Sequence, residues 1–100
     1  MDKKTLIKKA ESDAIIVDKL KINKNIYSNA KKAVNIIKRK GVNDFILIKT
    51  DKIEKVLTKD DFKGFNYIYK EVKQLKKDNY SDEDIKNYLG YFAREIKFYL

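Results

Sequence analysis

The sequence predicts an all-α fold, a compact bundle of four or five helices, on three observations. Proline is absent from all 100 residues, which removes the residue that most reliably interrupts a helix. Apolar side chains recur mostly at three- and four-residue intervals, the spacing of one helix face. Thr58-Lys59-Asp60-Asp61 and Ser81-Asp82-Glu83-Asp84 have the form of capping boxes with Asp in place of the usual Glu. A chain of this length builds one domain around one core, here with a basic N-terminal half (1–43) and an aromatic-rich C-terminal half (58–100).

The first predicted helix runs from about Lys3 to Leu20, with Leu6, Ala10, Ala14, Val17 and Leu20 on one face and Ile7 and Ile16 widening it. The asparagine-rich Ile22-Asn23-Lys24-Asn25 breaks that pattern. A second helix, Ile26 to Lys40, gathers Ile26, Ala30, Ala33, Val34 and Ile37, and Gly41 after it reads as a left-handed C-terminal cap. Lys38, Arg39 and Lys40 fall in its last turn, where the helix dipole favours cations.

Residues 44–50 are ambiguous, because Phe45-Ile46-Leu47-Ile48 reads either as a short buried strand or as the start of a helix. A strand there needs a partner strand that only a second copy in a homodimer would supply, so helix is the preferred reading. Asp51 to Leu57 follows as a short helix. The fourth predicted helix buries Phe62, Phe65, Ile68, Tyr69, Val72 and Leu75; the fifth buries Ile85, Tyr88, Leu89, Phe92, Ile96 and Tyr99. Ten of the twelve aromatic residues lie between Phe62 and Tyr99, so the back half is expected to supply most of the core. Gly64 and Gly90 each cost their helix about 1 kcal/mol relative to alanine, and Gly90 is the expected point of a close helix crossing.

Charge is spread unevenly along the chain. The net charge is +9, yet from Lys19 to Asn43 there is no acidic residue and there are eight basic ones, while ten of the fifteen acids lie after residue 50. Twenty-two lysines against two arginines, with thirteen isoleucines and eight asparagines, fit an AT-rich genome. Codon bias raises lysine everywhere, however, and does not remove acids from one window. A segment of this kind repels itself unless an anion is near, and nucleic acid is the polyanion that fits.

On the second helix, at about 100° per residue, Lys31, Lys32, Asn35, Lys38 and Arg39 form a stripe opposite the apolar face, with no compensating acid three or four residues away. The first helix interleaves Lys8, Lys9, Glu11, Asp13, Asp18 and Lys19, the pattern of a self-paired, solvated surface. Lys63, Tyr67, Lys70, Gln74 and Lys77 form a weaker basic stripe on the fourth helix, in which Tyr67 is placed to stack a base. Tyr91 and Phe98, beside Arg94, lie off the main apolar face of the fifth helix and form a candidate docking patch for a protein partner or a second copy.

Several function classes are excluded. With 39% charged residues and no long apolar run there is no membrane span, and no apolar stretch after Met1–Thr5 makes a signal peptide, so a soluble, cytoplasmic protein is expected. Without cysteine or histidine there is no disulfide framework and no zinc site. Three glycines make no phosphate loop and no serine sits in a nucleophile elbow, so neither a cofactor nor an enzymatic activity is expected. Asp61…Glu71-Val72-Lys73 and Asp84…Glu95-Ile96-Lys97 match a magnesium nuclease by letter, but both lie on predicted helices in a lysine-rich chain where such matches arise by chance. Lys63 to Lys70 resembles the first ribonucleoprotein octamer of RNA-recognition domains at five of eight positions, departing at Asn66 and Lys70, in a helical context that offers no sheet. Ala33 to Thr50 can be laid on a helix-turn-helix with Gly41 in the turn, against which stand Ile37, Lys40 and the apolar segment after Asp44.

The expectation is therefore a small nucleic-acid-binding protein of low sequence specificity. Its phosphate contacts would be Lys19, Lys21, Lys24, Lys31, Lys32, Lys38, Arg39 and Lys40, joined by Lys63, Tyr67 and Lys70. Lysine acts as a point charge without arginine's bidentate fork, which favours general backbone affinity over base readout. The alternative is a helical protein-interaction module working through Tyr91, Arg94 and Phe98. Small lysine-rich chains of this composition are common in phages and mobile elements, and such a module would serve as an inhibitor or adaptor of a nucleoprotein complex.

Overall fold

A computed structural model describes residues 3–21 and 23–100. The charged start at Met1-Asp2 and the break at Ile22 lie outside the described residues. Among the described residues six helices follow one another: α1 (Lys3–Asp18), α2 (Asn23–Lys40), α3 (Val42–Ile46), α4 (Thr50–Val56), α5 (Lys59–Lys77) and α6 (Asp82–Lys97). Among the described residues none is in a strand, and the all-α bundle of the sequence reading is what forms. The sixth helix is α3, the segment that had also read as a strand. Phe45 is fully buried while Leu47 is 76% exposed, so the run Phe45–Ile48 is one helical turn and its exit, with one side inward.

The long helices are arranged α1, α6, α2, α5, each packing on the next. α6 thus lies between α1 and α2, and α3 bridges α2 to α5. Both predicted caps form. Thr58 Oγ1 accepts from the Asp61 N–H at 3.2 Å and Ser81 Oγ from the Asp84 N–H at 3.0 Å, each worth about 1 kcal/mol. Gly41 does take a positive φ of 91°, but with ψ of 165° it is the N-cap of α3 rather than a left-handed C-cap of α2. Having no side chain to cap with, it leaves the Val42 N–H to Asp82 of α6, which accepts it at 3.2 Å and also receives Lys76 Nζ at 3.3 Å.

The buried apolar residues form one cluster drawn from both halves. The front half contributes Ala10, Ala14, Ala30 and Ala33 beside Leu6, Val17, Ile26, Ile37 and Val42, and the back half contributes Ile68, Leu75, Tyr88 and Phe92 among others. The buried positions are shared evenly between the two halves, so the core is built jointly, with its aromatic members Tyr88 and Phe92 on α6 and Phe45 on α3. α2 begins three residues earlier than the sequence suggested. Asn25 and Asn29 are its first turns, and both donate to Asp61 of α5. Leu20 and Tyr99, expected inside, are 52% and 42% exposed, as is Ile16 at 53%. α1 stops at Asp18 and Lys21 turns the chain with a positive φ of 58°, so Leu20 leaves the helix face before it can be buried.

Two further expectations are corrected. Asp13 is buried and accepts the Tyr88 hydroxyl of α6, while Lys9 reaches both Asp13 and Glu71 of α5 at 3.0 Å. This part of α1 is therefore an interior polar joint, not a solvated face. Burial disfavours the charged form of Lys9, but its hydrogen bonds to Asp13 and Glu71 outweigh that and hold its ammonium above the ordinary lysine value. Burial, then the Glu71 and Asp13 carboxylates, push the Tyr88 hydroxyl far above the ordinary tyrosine value.

The close helix crossing is at Gly64, not Gly90. A Cβ on Gly64 would stand 3.0 Å from the Asn25 carbonyl carbon and 3.1 Å from the Ile26 nitrogen, whereas one on Gly90 would meet nothing within 4 Å. The two Gly→Ala variants are therefore expected to differ in sign. Gly90→Ala should raise stability by up to about 1 kcal/mol through helix propensity. Gly64→Ala should lower it by about 1–3 kcal/mol, because rigid helix backbone must move apart. Thermal or urea unfolding of the pair reads this directly, and equal effects would contradict the crossing.

Candidate nucleic-acid interface

α2 runs through the bundle with Ile26, Ala30, Ala33 and Ile37 inward, so helical geometry turns Lys31, Lys32, Lys38, Arg39 and Lys40 outward, and all five are exposed. Among the described residues none of the five is in an ion pair. Lys31 stands 5.3 Å from the centre of the Tyr27 ring, and Arg39 Nε donates to the Asn35 carbonyl at 3.4 Å. Lys19, Lys21 and Lys24 are exposed at the α1–α2 junction. There Lys21 and Lys24 share a shallow depression with Asp18 and Tyr99, so this end is less uniformly basic than α2.

The second stripe, on α5, is more basic than the sequence suggested. Glu71 is the one acid between Phe62 and Lys77, and Lys9 draws it inward. Lys70, Lys73, Lys76 and Lys77, with Ile46 and Gln74, surround an open groove of about 620 Å³. Lys63, Tyr67 and Lys70 meet Leu20 at a smaller one of about 290 Å³. Tyr67 is not a free platform: it is half buried, its ring stacked on Phe92 at 6.0 Å and 16°. Burial, with the Asp13 and Glu71 charges, pushes its hydroxyl well above the ordinary tyrosine value.

The residues assigned separately to nucleic acid and to a protein partner partly converge. Val34 and Lys38 of α2 and Lys86, Gly90, Tyr91 and Arg94 of α6 line one groove of about 420 Å³. In it the Arg94 guanidinium lies 5.6 Å from the Tyr91 ring centre. Phe98, 78% exposed, is two helical turns further along and does not line this groove. Lys86 and Tyr27 were missed by the sequence reading. Tyr27 had a local signal, its four-residue step to Lys31; Lys86 had none, because its neighbours come from α2.

The other motifs do not assemble. Asp61 and Glu71 are ten residues apart on one helix, about 15 Å along its axis, and are held by Asn25 and Lys9 respectively. Asp84 and Glu95 are similarly separated on α6. Among the described residues no three Asp, Glu, His or Cys side chains are grouped to hold a metal ion, and no helix is long and apolar enough to cross a membrane. α3 has five residues, too few to lie along a DNA groove as a recognition helix. What fold and surface define is a small basic helical protein with its cations on α2 and α5. The chain matches no known protein family, no curated protein and no solved structure.

Proposed function

We propose that this protein binds nucleic acid through the phosphate backbone, with the outward face of α2 as the principal contact and little sequence specificity. One observation carries the reading: Lys31, Lys32, Lys38, Arg39 and Lys40 are exposed on a single helix, and among the described residues none is paired with a carboxylate. Five like charges on one helix repel each other; a row of phosphates offsets that repulsion by its opposite charge, and the lysines release the counterions condensed on the nucleic acid. The cation is lysine at four of the five positions, which suits backbone attraction more than base recognition.

Fluorescence anisotropy with labelled DNA and RNA across a range of salt concentrations tests it. Four or five phosphate contacts should give a log–log dependence of affinity on salt with a slope of about −4 for a duplex and about −3 for a single strand, and reversing Lys31, Lys38 and Arg39 to glutamate should abolish binding. Absence of binding at low salt would sink the proposal. The alternative, a protein-interaction module, is supported by Phe98, an aromatic side chain 78% accessible just after α6. Binding of that kind would depend on Phe98 and only weakly on salt.

A further inference from the structure

We infer that the nucleic acid bound by this surface is single-stranded and runs along the seam between α2 and α6, with an unpaired base stacking at the Tyr91–Arg94 pair; the inference rests on the nucleic-acid reading above. On α2, Tyr27, Lys31, Val34 and Lys38 follow one another at four- and three-residue steps, so they form one edge of the helix. Val34 and Lys38 line the groove against α6, which makes that edge the one bordering the seam. The helices run antiparallel, since Val42 beyond the end of α2 meets Asp82 at the start of α6. The same register carries Tyr27 and Lys31 towards the C-terminal end of α6. Two aromatic–cation pairs, Tyr27–Lys31 and Tyr91–Arg94, therefore lie along one track.

The seam is built differently from the convex face of α2. Gly90 leaves its floor open, with nothing within 4 Å of where a Cβ would be. The seam is a shallow, open track of about 420 Å³ rather than a closed cleft. Lys38 is unpaired among the described residues, and Lys86 is paired only with the exposed Glu83 at 2.9 Å. Tyr91 is half buried and lines this track beside Val34 and Lys38 of α2. A duplex keeps its base faces stacked inside and offers an aromatic surface only its backbone and groove edges. An unpaired base can enter and stack on an aromatic ring or on a guanidinium plane. Lysines and the Arg94 charge serve either ligand, but a stacking surface at Tyr91 gains a partner only from the single strand.

The test compares labelled oligothymidylate, oligouridylate and a mixed-sequence duplex of equal length by anisotropy, using wild type, Tyr91→Leu, Tyr27→Leu and Gly90→Glu. Both single strands should bind at least about tenfold more tightly than the duplex. Tyr91→Leu and Tyr27→Leu should each weaken single-strand binding by roughly tenfold, the loss of one stacked base, with an unchanged salt slope. Gly90→Glu places an anion in the groove at a position open to solvent, so circular dichroism should report an intact fold while single-strand affinity falls. Equal affinity for duplex, or wild-type affinity in Tyr91→Leu and Gly90→Glu, overturns the inference. If salt-dependent binding persists and still requires Lys31, Lys38 and Arg39, the broader reading survives that outcome. No binding to any of the three ligands ends both.

Discussion

Replacing Asp13 by alanine is expected to lower the free energy of unfolding by about 2–4 kcal/mol, less than the ~3–5 kcal/mol of a fully buried charge pair because the Lys9 side chain is 33% exposed. Asp13 sits where α1, α5 and α6 meet, accepting from Tyr88 and pairing with Lys9, which also holds Glu71. Alanine leaves the Tyr88 hydroxyl buried without its acceptor and removes one of the two carboxylates that offset the burial of Lys9. A domain of this size has about 5–15 kcal/mol in total, so the variant should lie near the edge of folding. Asp13→Asn keeps an acceptor for Tyr88 and should cost less, about 1–3 kcal/mol. Urea unfolding followed by circular dichroism separates the two; a cost below about 1 kcal/mol for the alanine variant would mean that this joint is solvated.

Phe45→Ala should be at least as damaging, at about 3–5 kcal/mol. Phe45 is 1% exposed, and its ring lies 6.2 Å from that of Phe65 and 6.1 Å from that of Tyr69. The Tyr69 hydroxyl donates to the Ile46 carbonyl at 2.8 Å. One aromatic ring and one hydrogen bond thus fasten α3 to α5, and α4 has no buried residue of its own. Limited proteolysis of Phe45→Ala should cut first within 46–58. The adjacent Leu47→Ala, at a position 76% exposed, should change stability by no more than about 0.5 kcal/mol. Similar costs for the two variants would show that α3 is not anchored through Phe45.

Both predictions mark where sequence reasoning stops. The starts of α5 and α6 were legible because Thr58 and Ser81 act on the N–H three residues ahead, a purely local chemistry. The inward faces of α2 and α6 were legible from periodicity. Phe45–Ile48 was not, because an apolar run of four is too short for its period to be read, and burial by Phe65 and Tyr69 decides its conformation. Asp13 looked like surface because its partner Tyr88 is 75 positions away, and nothing near Asp13 in the chain announces it. Gly64 and Gly90 are equivalent by propensity; only the backbone of α2 lying against one of them tells them apart. The cations of the candidate site were legible from the missing acids between Lys19 and Asn43. The groove was not, since it exists only where α2 meets α6.

The arrangement of the bundle also has a consequence for how the chain is made. The apolar faces of α1 and α2 pack chiefly on α6, and α2 packs on α5, while the start of α3 is capped by Asp82, forty positions later. During synthesis the first two helices therefore emerge without the surfaces that cover them. Helix–helix contacts this distant in sequence slow folding relative to bundles of neighbouring hairpins. The front of the molecule stays open until residues of α6 have left the ribosome, and its cooperative closure waits on them.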